Sequence, residues 1–183
     1  LKYFKKLLFR FEAWPVKRQI EQHHHLWGEH PERINVEGSP HAQSQDIWLR
    51  FRDQAELHEP ADYGIPHWPV WYPAWHELST LHPLVFHIAH EVRATAIGGI
   101  LMTRIPGGAS ILPHVDHGWH PEHFSKKCYA IIKSNPWCIN KCMNEEVNMR
   151  EGECWLFDNS VTHSVENGGS ADRIAMIVTM RAA

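Results

Sequence analysis

The chain has 183 residues, enough for one domain with its own core. Hydrophobic residues make up 43% and charged residues 21%, a globular balance, and no apolar run reaches the roughly eighteen residues that a membrane-spanning helix needs. With 18 Lys+Arg against 21 Asp+Glu the formal charge is -3, which disfavours a binder of phosphate backbones, so no nucleic-acid partner is expected.

Residues 1–10 alternate basic and apolar positions in helical fashion and predict a surface helix packing one face. They lack the apolar centre and small-residue cleavage site of a secretory signal, so a cytoplasmic location is expected. The stretch to about Pro83 is rich in Trp, Pro and His. Within it residues 46–51 alternate with period two and predict a strand. Leu84, Val85, Ile88, Ala89 and Val92 recur at helical spacing, and Gly98-Gly99 are expected to stop that helix.

Beyond residue 100 the texture changes to short strands between turn formers. Strands are predicted at 100–105, 110–116, 128–133, 137–141, 147–149, 154–158, 163–166 and 173–180, with breaks at Pro106-Gly-Gly108, Asn135-Pro136, Glu151-Gly152 and Asn167-Gly-Gly169. So many short strands predict a mainly β fold: a jelly roll, or double-stranded β-helix, over 98–183, with helices from an extension, 1–97, packed outside it in one domain. The last strand is apolar on both faces and should lie between the barrel interior and a covering layer. The 4 Cys read as reduced, buried thiols rather than disulfides.

The composition is unusual in its 16 His, and neutral imidazole is the commonest metal ligand. The densest polar stretch is Pro113-His-Val-Asp-His-Gly-Trp-His-Pro-Glu-His123. Residues two apart on a strand share a face, so His114 and Asp116 supply two adjacent corners of a coordination sphere. His163, opening a late strand, is the natural third ligand. Two His and one carboxylate with open positions form the facial triad of non-heme Fe(II) oxygenases, whereas zinc prefers a closed tetrahedral set or three ligands and a water. Arg173 follows at the start of an apolar strand, where a guanidinium is costly without an anionic partner. It is read either as a fork for a ligand carboxylate, with Ala175, Ile177 and Thr179 leaving room on its face, or as a partner of Asp172 or a surface acid.

These residues resemble the 2-oxoglutarate/Fe(II)-dependent oxygenases, and within them the aspartyl/asparaginyl β-hydroxylase family in its short, single-domain form. The likeness rests on Pro106-Gly-Gly-Ala-Ser-Ile-Leu-Pro-His114, Gly152-Glu-Cys-Trp-Leu-Phe-Asp-Asn-Ser-Val-Thr-His163 and Arg173-Ile-Ala-Met-Ile, and it covers about residues 98–181. It implies a hydroxylase in which His114, Asp116 and His163 bind Fe(II) and Arg173 grips the distal carboxylate of 2-oxoglutarate. Lys127 and Tyr129 stand where the family holds that cosubstrate with a basic residue and a His. The best-known animal members lack the carboxylate ligand; Asp116 is present here, so three ligands are expected. The implied reaction uses O2 on a small-molecule or peptide substrate, an Asp or Asn side chain or a free amino acid among them, and releases succinate and CO2. The alternatives are a cupin-like metalloenzyme that does not use 2-oxoglutarate and a non-catalytic jelly-roll module that binds a metal or ligand.

Other polar residues have simpler readings. His117, His120 and His123 are expected on a solvated loop that Gly118 and Pro121 keep from forming a helix, with Trp119 as a lid or substrate contact. His87 and His90 read as ordinary helix histidines, and Cys138 and Cys142 as structural thiols. Asp158 and Asn159 either orient His163 or form the turn before it. Trp48, Arg50 and Arg52 are candidate substrate contacts.

Overall fold

Alternating apolar residues after position 100 pair into two antiparallel sheets, completed by strands from the first half of the chain. The computed structural model describes residues 1–182. In chain order the elements are β1 (Phe4–Arg10), α1 (Trp14–Gln22), β2 (Gln45–Phe51), β3 (Val70–Trp71), α2 (Ala74–Glu77), α3 (His82–Glu91), β4 (Ala94–Ile105), β5 (Ser110–His114), α4 (Trp119–His123), β6 (Lys126–Lys133), β7 (Cys138–Cys142), β8 (Glu145–Val147), β9 (Glu153–Phe157), β10 (His163–Asn167) and β11 (Arg173–Ala182). The larger sheet has the order β1-β9-β6-β11-β4-β2-β3, and the smaller one β5-β10-β7-β8. This is the expected jelly roll with helices outside, and no helix among the described residues is long and apolar enough to cross a membrane.

The last strand lies where its two apolar faces require. From β11, Ile174, Met176, Val178 and Met180 join Val16 and Ile20 of α1 and Leu84, Val85 and Ile88 of α3 in one core. Its other face puts Ala175 and Ile177 into a second core with Trp48, Leu101, Tyr129 and Phe157. All four Cys are free and buried, so small apolar packing is their structural role.

Three expectations are corrected. Residues 1–10 do not form a helix: β1 pairs with β9, Phe4 opposite Phe157 and Lys6 opposite Trp155. The sheet is buried on both faces, so Phe4 enters one core and Leu7 the other, and apolar residues of either parity imitate a helical period. Gly98-Gly99 do not stop α3. That helix ends at Glu91 with Val92 as its C-cap, Arg93 turns the chain with φ 53°, and both glycines lie inside β4. There Gly98 makes room: a Cβ on it would stand 2.6 Å from Phe124 Cγ and from Thr179 Oγ1. The segment after Asp116 does form a short helix, α4. Gly118 enters it at φ 93°, and Pro121 sits in a first turn that has no use for its missing N–H.

Candidate metal centre

Strand pairing, more than alternation along one strand, brings the three ligand candidates together. β10 pairs with β5 so that His163 stands opposite His114. The predicted strand over 110–116 ends at His114, and Asp116 lies in the following turn, where its N–H donates to Asn159 O at 3.1 Å. Each of His114, Asp116 and His163 offers one ligand atom, and these lie within 4.8 Å of one another.

The hydrogen bonds settle which atoms face inward. His114 Nδ1 contacts Leu112 O at 2.8 Å and His163 Nδ1 contacts Val161 O at 3.0 Å. A carbonyl only accepts, so each Nδ1 carries the proton and each Nε2 presents a lone pair. Both Nε2 atoms are buried without a hydrogen-bond partner among the described residues. Asp116 Oδ2 accepts from Lys127 Nζ at 2.5 Å and Asn159 Nδ2 at 2.9 Å, while Oδ1 faces His114 Nε2 at 3.4 Å and His163 Nε2 at 3.8 Å. Two imidazole lone pairs and one carboxylate oxygen converging in this way fit a divalent metal. Burial opposes ionisation of Asp116, but its polar neighbours, the Lys127 ammonium foremost, outweigh it and hold the carboxyl well below its ordinary value. Burial, with Lys127 nearby, pushes His163 down to about 4, which keeps its ring neutral at physiological pH.

Arg173 opens β11 on the face it shares with Ala175 and Ile177 of the second core and is 0% exposed. Nη2 donates to Asn140 Oδ1 at 3.1 Å, not to Asp172, while Nε and Nη1 are buried with no partner among the described residues. Its guanidinium lies 4.9 Å from the centre of the Tyr129 ring, which stacks on Phe157. A buried guanidinium with two donor nitrogens free and no anionic partner among the described residues could donate to a ligand carboxylate.

A cavity of about 410 Å³ reaches Asp116, Lys127 and Tyr129 from one side. His120 is one of its walls and is not solvated as expected: Nδ1 meets His67 Nε2 at 3.1 Å and Nε2 meets Thr179 Oγ1 at 2.9 Å. Burial, with His67 behind it, pushes His120 down to about 3. His117 lines the cavity too; His123 stacks beneath Trp119, away from the cavity lining. Trp48 is 1% exposed within the second core and is not among the residues lining the cavity, and Arg50 donates to the carbonyls of Ile97 and Gly98. Arg52 lines the cavity while donating to Asp62 O and Ile65 O. Asn159 holds Asp116, not His163, and Asp158 caps the turn through Ser160. Sequence reasoning missed Asn140, His41 and His67. His41 packs edge-on to His114 at 4.8 Å, and nothing in its sequence neighbourhood marks that contact.

A sequence model of the aspartyl/asparaginyl β-hydroxylase family matches residues 31–182. No curated protein sequence matches the chain. Among solved structures, an oxidoreductase of the 2OG-Fe(II) oxygenase family from Burkholderia pseudomallei is 11% identical with a TM-score of 0.63, over 100% of this chain and 89% of that one. A prolyl hydroxylase from Trichoplax adhaerens, in complex with a hypoxia inducible factor peptide fragment, is 12% identical with a TM-score of 0.57, over 97% and 83%. A viral collagen prolyl hydroxylase from Paramecium bursaria Chlorella virus-1, in a 2OG complex, is 10% identical with a TM-score of 0.53, over 99% and 97%. At these identities the likeness is one of fold.

Proposed function

The chain belongs to the aspartyl/asparaginyl β-hydroxylase family, and on that premise we propose that it is an Fe(II)- and 2-oxoglutarate-dependent dioxygenase whose iron is held by His114, Asp116 and His163. The observation that carries this reading is the convergence of two unshared Nε2 lone pairs on one unshared carboxylate oxygen. When bound, iron and cosubstrate supply the oxidising chemistry: 2-oxoglutarate and O2 become succinate and CO2, and one oxygen atom enters an unactivated C–H bond of the substrate.

The chain's own residues bind, orient and exclude water. Leu112 O and Val161 O fix the tautomer of each histidine, and Lys127 and Asn159 keep Asp116 ionised and aimed. Arg173 offers Nε and Nη1 to the distal carboxylate of 2-oxoglutarate, with Asn140 bracing the guanidinium and the Tyr129 ring beneath it. Leu101, Ile111 and Ile177 give the cavity an apolar wall that favours a dry site. Its volume of about 410 Å³ suits a small molecule or one side chain of a peptide, and an Asp or Asn side chain is the proposed substrate class. The buried Arg173 favours this reading over a cupin-like enzyme or a binding module, neither of which needs a cation there.

The test is aerobic turnover with Fe(II), 2-oxoglutarate, 18O2 and Asp- or Asn-containing peptides or free amino acids. Succinate formed in step with a product carrying one 18O atom supports the proposal. Absence of any Fe(II)-dependent succinate above the metal-free control refutes it.

A further inference from the structure

Asn159 holds Asp116 at two points: its backbone carbonyl accepts Asp116 N–H at 3.1 Å, and its Nδ2 donates to Oδ2 at 2.9 Å. Asn159 is 4% exposed, so the amide is a fixed donor. Lys127 Nζ takes the same Oδ2 at 2.5 Å, and its side chain is 12% exposed. One carboxylate oxygen therefore carries both donors, and the other, Oδ1, is the one turned toward the two Nε2 atoms. An unrestrained carboxylate beside a divalent cation can swing to give both oxygens.

We propose that Asn159, with Lys127, is a positioning residue that restricts Asp116 to single-oxygen coordination through Oδ1. The inference rests on the reading of Asp116 as a metal ligand. Its consequence is that Oδ1 alone would serve a bound metal, and the ion's remaining positions would stay free for cosubstrate and O2. A two-oxygen carboxylate would close one of them. Asn159 is thereby tied to function through Asp116, and the turn at Asp158–Ser160 is more than a link into β10.

The test uses Co(II) alone as the probe, added anaerobically to four proteins: wild type, Asn159→Ala, Asp116→Ala and the double variant. Asn159→Ala is expected to weaken Co(II) binding on the order of tenfold, as loss of a partner behind a metal ligand does. In the Asp116→Ala background the same substitution should change affinity by less than about twofold, because its target is gone. In Co(II)-loaded protein labelled with 13C-aspartate, the gap between the antisymmetric and symmetric carboxylate stretches should narrow in Asn159→Ala as Oδ2 joins the metal. Lys127→Gln, which leaves the 158–160 turn untouched, is measured by the same infrared gap and should narrow it as well. An equal loss of affinity in both backgrounds, or an unchanged gap in both variants, overturns the clamp. Asp116→Ala binding Co(II) as tightly as wild type overturns instead the assignment of Asp116 as a ligand, and the clamp with it.

Discussion

Replacing Arg173 by Met separates a residue kept for a ligand from one kept for the fold. The guanidinium is fully buried, with Nε and Nη1 unpartnered among the described residues and only Nη2 engaged, on Asn140 Oδ1. Each buried polar atom without a partner costs about 1–3 kcal/mol. The variant removes two such atoms and orphans one, Asn140 Oδ1, for a net gain of one, or about 2 kcal/mol of stability. For a chain of this length that is a rise of roughly 4–8 °C in Tm, and Met keeps the reach and the contact with Tyr129. Binding of 2-oxoglutarate should move the other way. Losing a buried charge-assisted pair costs about 2–5 kcal/mol, or roughly 30- to 4,000-fold in affinity. The assay is calorimetric unfolding of the metal-free proteins, followed by anaerobic titration of 2-oxoglutarate into their Fe(II) forms. A variant destabilised by several kcal/mol that still binds 2-oxoglutarate like wild type would mean that Arg173 serves the fold and not the ligand.

Three further outcomes are expected. Asp116→Ala should abolish substrate-coupled succinate formation; full activity in that variant would mean that two histidines suffice. Gly98→Ala should destabilise by about 1–3 kcal/mol, because the new Cβ would stand 2.6 Å from Phe124 Cγ and Thr179 Oγ1, and an unchanged Tm would contradict the socket assigned to that glycine. Glu153 is buried on β9, and although burial opposes its charge, Lys6 Nζ, the Arg150 N–H and Trp155 Nε1 hold it below its ordinary value. A carboxyl depressed in the folded state stabilises above its unfolded pKa of about 4.3 and loses that contribution as pH falls through the folded value. Glu153→Gln should therefore cost stability at pH 7 and progressively less in acid, as chemical denaturation at pH 7, 4 and 3 would show; a pH-independent cost would contradict the assignment.

Much of the fold was legible because the sheets impose regular patterns: β11, apolar at every position from Ile174 to Val178, could only lie between two packed layers. The candidate ligands His114, Asp116 and His163 stood out by their spacing on predicted strands, and Arg173 by the cost of placing a guanidinium in an apolar strand. The misread features share one cause, in that local sequence does not show what packs against it. Phe4 and Leu7 imitate a helix because β1 is buried on both sides. Gly98-Gly99 look like a stop signal, yet they lie within β4, where Gly98 clears space for Phe124 and Thr179, residues distant in sequence. Asn140 is one polar residue on a short strand, and only the pairing of distant strands shows that it braces Arg173.

In the proposed site His114, Asp116 and His163 hold an iron to which Arg173 brings 2-oxoglutarate. The most direct measurement is anaerobic: Fe(II) is added to metal-free protein, 2-oxoglutarate is titrated, and the visible metal-to-ligand charge-transfer band is followed. A saturable band in wild type, shifted to much higher 2-oxoglutarate concentration in Arg173→Met, is the predicted result. Bound Fe(II) with no band at any 2-oxoglutarate concentration would contradict the account.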